Sequence, residues 1–230
     1  MGKKYQLVAK TIEKNKLYSL DEGINLALNT AIVKFDSTVE IYMRLGVDPK
    51  HADQIVRGTV VLPNGTGKVP KILVFAKGEK EKEAQEAGAN FVGSADLIEK
   101  IEKENWLDFD VTIATPDIMK EVSKLGKLLG PRGLMPSPKM GTVTFKLKET
   151  IEQIKLGRVE YRVDKEGAIH CGIGKVSFGD QKIKENFLSI FNAVIKSKPA
   201  STKGQYLKGI GITTTMGPGI KIDSASILKQ

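Results

Sequence analysis

Three short apolar runs, each followed by a helical pattern, fall between residues 69 and 130, and that alternation leaves few folds open. Val69 to Phe75 reads as a strand closed by Lys77-Gly78, and Glu79 to Ala87 as a charged helix with Gly88 as its left-handed stop. Phe91-Val92-Gly93 reads as a second strand, with Ser94 placed to cap a helix through Ile98, Ile101 and Glu102. Phe109 to Ala114 is the third. Thr115 is suited to cap the helix after it, because Pro116 at the first helical position gives up no needed N–H. That helix is predicted through Ile118, Val122, Leu125 and Leu129 to Gly130-Pro131. Parallel strands need crossover helices, so this spacing predicts a three-layer α/β unit.

The flanks have another rhythm. Ser19-Leu20-Asp21-Glu22 is a capping box, with Ile24, Leu26, Ala27 and Val33 following at helical spacing. Over 38–45, Val39, Ile41, Met43 and Leu45 face one way, and Thr38, Glu40, Tyr42 and Arg44 the other. Further strands are predicted over 56–62, 159–163, 169–178 and 207–215, and a helix from Asp180 through Ile183, Phe187, Phe191 and Val194, ending before Pro199. Half-buried alternation of this kind predicts an antiparallel α+β domain with helices on one face and a polar face left open. Two glycine-marked joints, Pro63 to Lys68 and Gly157, separate the rhythms. The predicted organisation is a discontinuous outer domain, 1–67 with 158–230, carrying an inserted domain, 68–157.

Charge follows the same division. The chain of 230 residues has 36 Lys and Arg against 27 Asp and Glu, a net +9. The inserted block holds 15 basic and 14 acidic residues, leaving 21 and 13 for the flanks, so +8 of the excess belongs to the outer domain. A purely solubilising charge has no reason to segregate, and a polyanion partner is predicted. With 40% apolar and 27% charged residues the chain is neither a disordered polyelectrolyte nor a membrane protein. Its longest uncharged run, Gly209 to Ile220, is far short of a bilayer span. No signal peptide is expected after Met-Gly-Lys-Lys, and a cytosolic setting is predicted. One Cys and two His exclude a disulfide scaffold and argue against a metal site.

Catalytic motifs fail on inspection. Gly65-Thr66-Gly67-Lys68 lacks the leading glycine of a phosphate loop, where Leu62 stands, and Val69 replaces its hydroxyl. No G-x-G-x-x-G follows a strand, and there is no G-x-S-x-G or H-E-x-x-H. His170 and Cys171 are adjacent in a strand, so they point to opposite faces and cannot act as base and nucleophile. Asp110, Asp117 and Glu121 are placed by this reading at the C-terminal edge of the α/β sheet, which keeps open an α/β enzyme acting on a nucleotide or phosphorylated substrate. The main expectation is no enzyme and no cofactor.

The polyanion signal is better. Lys196 to Gly204 is a basic connection into a strand ending Thr213-Thr214-Thr215-Met216-Gly217, where hydroxyls can bond phosphate or ribose and Met216 can lie on a sugar or base. The same run also reads as a Thr-rich edge strand before a Gly-Pro turn. Lys34-Phe35-Asp36-Ser37-Thr38-Val39-Glu40 sets an aromatic among charges and hydroxyls, though Phe35 also suits a core position at a helix end. Lys175 and Ser177 are predicted to share a strand face. All three segments lie in the +8 domain.

The runs Arg57 to Lys68, Leu129-Gly-Pro-Arg-Gly-Leu-Met-Pro-Ser-Pro-Lys139, Gly174 to Phe178 and Thr215-Met-Gly-Pro218 resemble the bacterial type of the L-one family of large-subunit ribosomal proteins, in order along essentially the whole chain. The resemblance implies that the inserted domain is Rossmann-like and movable on its two linkers. It implies that the outer domain binds the stalk of large-subunit rRNA, that the protein assists release of deacylated tRNA from the exit site, and that it represses translation of its own operon mRNA. A free monomer, working on the ribosome in the cytoplasm, is expected. Carried over by position, the RNA-binding residues are Lys34, Phe35, Thr38, Glu40, Lys175, Ser177, Thr215, Met216 and Gly217, and the hydroxyl reading of the strand end adds Thr213. Gly209 stands where the family often has a hydroxyl, and Cys171-Gly172 where Ala-Pro is commoner. The Gly/Pro-rich 130–141 loop is a family signature, read here as a rigid closing loop.

Overall fold

The computed structural model describes residues 2–13 and 15–228. In chain order its elements are α1 (Lys3–Ala9), α2 (Leu20–Asn29), β1 (Thr38–Leu45), β2 (Arg57–Val61), β3 (Ile72–Phe75), α3 (Glu79–Glu86), β4 (Phe91–Gly93), α4 (Ala95–Glu104), β5 (Val111–Ala114), α5 (Met119–Val122) and α6 (Gly126–Leu129). They continue with α7 (Leu147–Lys155), β6 (Arg158–Arg162), β7 (Ala168–Lys175), α8 (Gly179–Lys196), β8 (Leu207–Thr214), β9 (Ile220–Ile222) and α9 (Ser224–Leu228). The fold is α/β. Its chain divides into two compact units, Met1–Gly67 with Gly157–Gln230, and Lys68–Leu156, so Gly157 falls with the outer unit.

In the inserted unit β3 lies between β4 and β5, all parallel, with Leu73 beside Phe91 and Thr112. Strand alternation divides β3 between two cores. Leu73 and Phe75 pack with Ile98 and Ile101 of α4 and with Val122, Leu125 and Leu129. Ile72 and Val74 pack with Ala84 of α3 and Leu147, Ile151 and Ile154 of α7. Gly88 takes φ 76, as a left-handed stop requires, and Asn105 does the same for α4 at φ 51.

Two expectations fail in detail there. Ser94 and Thr115 occupy cap positions but make no side-chain cap bond. The helix predicted over 116–129 is broken into short α and 3₁₀ turns. Ser123 Oγ donates back to Met119 O (2.6 Å), and Gly126 follows; both loosen a continuous helix. The inserted unit also corrects the placement of Asp110. It precedes β5, at the strand's N-terminal end, and accepts the Lys71 N–H (2.8 Å).

The outer unit holds a four-stranded antiparallel sheet, β7-β1-β8-β9, and a two-stranded ribbon, β2-β6. Val39, Ile41, Met43 and Leu45 of β1 are buried with Ile169, Cys171 and Ile173 of β7 and Ile210 and Ile212 of β8. Helices α2 and α8 cover that face through Leu20, Ile24, Ile183, Phe187 and Ile190. The capping box forms: Glu22 N–H donates to Ser19 Oγ and Ser19 N–H to Glu22. Strand β9 was not foreseen, and it makes β8 an inner strand instead of an edge.

The predicted strand over 169–178 also stops early, at Lys175. Register skips from Val39–Gly174 to Glu40–Gly172, a bulge in β7, after which Val176 N–H turns to Ser37 O (3.0 Å). Residues 176–178 form a 3₁₀ turn that Gly179, at φ 77, joins to α8.

Both joints are pinned to this unit. Asn186, fully buried on α8, accepts the Asn64 N–H (3.1 Å) and donates to Gly65 O (2.9 Å) and Ile173 O (2.7 Å). Leu62 N–H donates to Gly157 O (3.2 Å), and any Cβ on Gly157 would fall inside van der Waals contact with Gly65 Cα.

Candidate nucleic-acid interface

Antiparallel pairing brings together three segments far apart in the chain. Thr38 begins β1, opposite Lys175 at the end of β7, and Thr215 follows the last residue of β8. Thr215 N–H donates to Thr38 O (3.0 Å), Thr38 N–H to Thr215 Oγ1 (3.1 Å), and Lys175 Nζ to Thr38 Oγ1 (3.1 Å). Two residues along, Glu40 stands opposite Thr213 on the same polar face. Lys175 Nζ also donates to Asp36 O (3.3 Å).

Ser177 does not share a strand face with Lys175. It sits in the 3₁₀ turn, where its N–H and Oγ donate to the two Asp36 carboxylate oxygens (3.1 and 2.7 Å). Those two bonds, the hydroxyl's first, hold the Asp36 carboxyl below its ordinary range, with Lys175 adding to the effect. Asp36 is therefore a structural member of the site that the sequence reading passed over. Its signal was its place between an aromatic and a hydroxyl residue.

The turn after β8 is set by Gly217. Its N–H donates to Thr214 O (2.7 Å), and a Cβ there would run into Thr214 Oγ1. Thr213 Oγ1 is within reach of Gly217 O (3.3 Å). The tight turn forces Met216 to φ 66, a left-handed conformation unusual for a side-chain-bearing residue, and leaves it 71% exposed. Phe35, in the bend before β1, is 60% exposed and packs in no core cluster. Lys34 beside it is exposed. An aromatic ring, a thioether and Lys34 thus stand exposed around hydrogen-bonded threonines, with Lys175 tied to Thr38 and Asp36 among them. Side chains of these kinds are able to stack on bases and to bond sugars and phosphates.

Further along the open face, Tyr42 and His170 bring their rings to 5.1 Å, and Gly209 and Gly211 leave a shallow groove of about 550 Å³ edged by Arg44, Lys208 and Lys221. Cys171 points the other way, into the core. Burial, then the charge of Glu40, pushes its thiol up to about 12. Nothing here pairs a nucleophile with a base. At the inserted unit's sheet, Glu121 is tied to Lys77 (2.5 Å). Among the described residues no group of three or more His, Cys, Asp or Glu could hold a metal ion, and no helix is long and apolar enough to cross a membrane.

The model of the ribosomal protein L1p/L10e family matches residues 27–218, most of the chain and every residue of the strand-end cluster. The chain belongs to that family. It is a family of structural proteins of the large ribosomal subunit that bind its rRNA, and not of enzymes. This sets aside the alternative of an α/β enzyme. Membership also agrees with the resemblance carried by the Gly-Pro-Arg-Gly-Leu-Met-Pro and Thr-Met-Gly-Pro runs, both of which lie in the matched span.

Proposed function

We propose that the outer unit is the RNA-binding domain. It would hold the stalk of large-subunit rRNA through Lys34, Phe35, Thr38, Glu40, Lys175, Ser177, Thr213, Thr215, Met216 and Gly217. The observation that carries this reading is the union of Thr38, Thr215 and Lys175 by direct hydrogen bonds beside two exposed apolar side chains, Phe35 and Met216. A fixed row of polar groups next to adaptable apolar ones favours one RNA surface over polyanions in general. The inserted Rossmann-like domain, nearly neutral in charge, has a positional role. On cytoplasmic ribosomes the protein assists release of deacylated tRNA from the exit site. Free, as a monomer, it represses its own operon through an mRNA element that copies the rRNA site.

The test is equilibrium binding of a stalk rRNA fragment across a salt series. Affinity is expected to fall steeply with salt, because bound lysines and arginines displace counterions. Thr215→Ala and Met216→Asp should each weaken binding by about 1–3 kcal/mol. Equal affinity for an unrelated RNA duplex, untouched by either substitution, would sink the assignment of the site.

A further inference from the structure

Only five of the 36 basic residues are arginines, and three of them, Arg57, Arg158 and Arg162, lie on the ribbon β2-β6. Register places Arg57 opposite Arg162, Thr59 opposite Glu160 and Val61 opposite Arg158. The alternate residues turn inward: Val60 and Val159 pack on the core, and Tyr161 is buried with its hydroxyl donating to Ala193 O on α8 (3.3 Å). All three guanidinium side chains therefore emerge on the ribbon's outer face. A fourth, Arg44, is on the open face of β1. Lysine is the less suited residue where a fixed fork must meet two oxygens.

We propose that this ribbon is a second arm of the RNA interface, one that grips the phosphate backbone of a helical stretch of RNA. The proposal rests on the RNA-binding reading of the outer unit and extends its footprint. The ribbon adjoins β7, the edge strand that ends in Lys175: Cys171 Sγ on β7 lies 3.9 Å from Glu160 O on β6. Arg158 is held ready, its Nη2 donating to Thr59 Oγ1 (3.1 Å). Arg57 and Arg162 are exposed, and among the described residues neither has a carboxylate within ion-pair distance.

The face selects its partner by what it lacks. Beyond the arginines, Thr59 and Glu160, its outward side chains include only one apolar residue, Val61, and no aromatic. A protein partner needs a buried aromatic or apolar anchor, and a single strand of RNA needs stacking platforms. Neither is present. Strand rise puts the Arg57–Arg162 pair and Arg158 about 13 Å apart on a rigid ribbon, a spacing suited to successive backbone contacts on a duplex. Glu160 in the middle disfavours a lone anion settling at the centre and leaves the arginines to contact separate phosphates.

The experiment compares the intact chain with an Arg57→Ala/Arg162→Ala double variant, the corresponding double Arg→Lys variant, Arg132→Ala and Met216→Ala. Each is titrated with the stalk rRNA fragment from 50 to 200 mM salt, after thermal unfolding has shown the fold unchanged. Loss of two phosphate contacts is expected to lower the slope of log K against log salt by about 2 and to weaken binding roughly 10- to 100-fold at 0.1 M salt. The lysine variant should keep the slope and lose affinity a few-fold, because it keeps charge without the fork. Arg132→Ala should change nothing. Met216→Ala should lower affinity at unchanged slope.

If the double alanine variant keeps the slope of the parent while Met216→Ala loses affinity, the ribbon is not an arm of the interface and the strand-end site stands. If both bind as the parent does, both assignments fall. A ribbon variant that loses an acidic protein from native complexes but no RNA affinity would also overturn the proposal.

Discussion

Replacing Met216 with glycine should stabilise the outer unit and weaken its hold on RNA at the same time. The residue sits at φ 66, where an L-side chain costs about 1–2 kcal/mol and glycine almost nothing. Glycine also loosens the unfolded chain, which returns about 0.4–1 kcal/mol of that gain. With the side chain 71% exposed, little packing is lost. The net is about 0.5–1 kcal/mol of stabilisation, or a rise in Tm of about 1–4 °C. On the RNA side, covering a methionine fully is worth about 1.5–3 kcal/mol, and most of this one is available to be covered. Its removal should cost about 1–2 kcal/mol of binding, roughly 5- to 30-fold in Kd. A melting curve followed by circular dichroism and a titration with the stalk fragment give the two numbers. A lower Tm would refute the strain argument. An unchanged Kd would remove Met216 from the interface, whatever its conformation.

Ser177→Ala removes the hydroxyl that contributes most to holding the Asp36 carboxyl low, so that carboxyl should titrate closer to its ordinary 3.8. The stabilisation it supplies is present above that ordinary value and is lost as pH falls through the lower folded one. Carboxyl-detected NMR titration of parent and variant should show the variant's Asp36 midpoint moved up. Cys171, its thiol pushed up to about 12, should resist iodoacetamide at pH 8 in the folded protein and react only on unfolding; stoichiometric labelling within minutes would show the strand face to be misplaced. A Cβ on Gly209 would meet nothing within 4 Å. Gly209→Ser should therefore leave the melt essentially unchanged while adding about 0.5–1.5 kcal/mol of RNA affinity if its hydroxyl finds a partner. No gain by titration calorimetry would place the groove outside the RNA footprint.

What the sequence made legible follows physical rules of short range. Strand β1 was readable residue by residue because one face is covered by α2 and α8 and the other left open, so its pattern has period two. The inserted unit's β3 was legible as a continuous apolar run because both faces are buried. Ser177 was misplaced because a bulge in β7 leaves no mark in composition, and one extra residue ends a strand early. Strand β9 is three residues long after Gly217-Pro218-Gly219, and so read as the tail of a turn. The candidate residues could be named from the sequence, but the hydrogen bonds that join Thr38, Thr215 and Lys175 could not. Which end of which strand meets Thr38 depends on pairings across some 140 to 180 residues of chain, and no local pattern carries them.

The contact of Gly157 with Gly65, with Asn186 bonded to the same turn, has a consequence for how this chain can be varied. The outer unit gives up its chain and takes it back at one spot, so to that unit everything from Lys68 to Leu156 is a single loop whose mouth is already shut. Loop length then enters stability only logarithmically. A short turn, or an unrelated domain with neighbouring termini, can be spliced between Gly67 and Gly157 without altering a strand register beyond it. The inserted unit is in this sense a cartridge. Its size and surface are free to change while the outer unit keeps its own sheets and core.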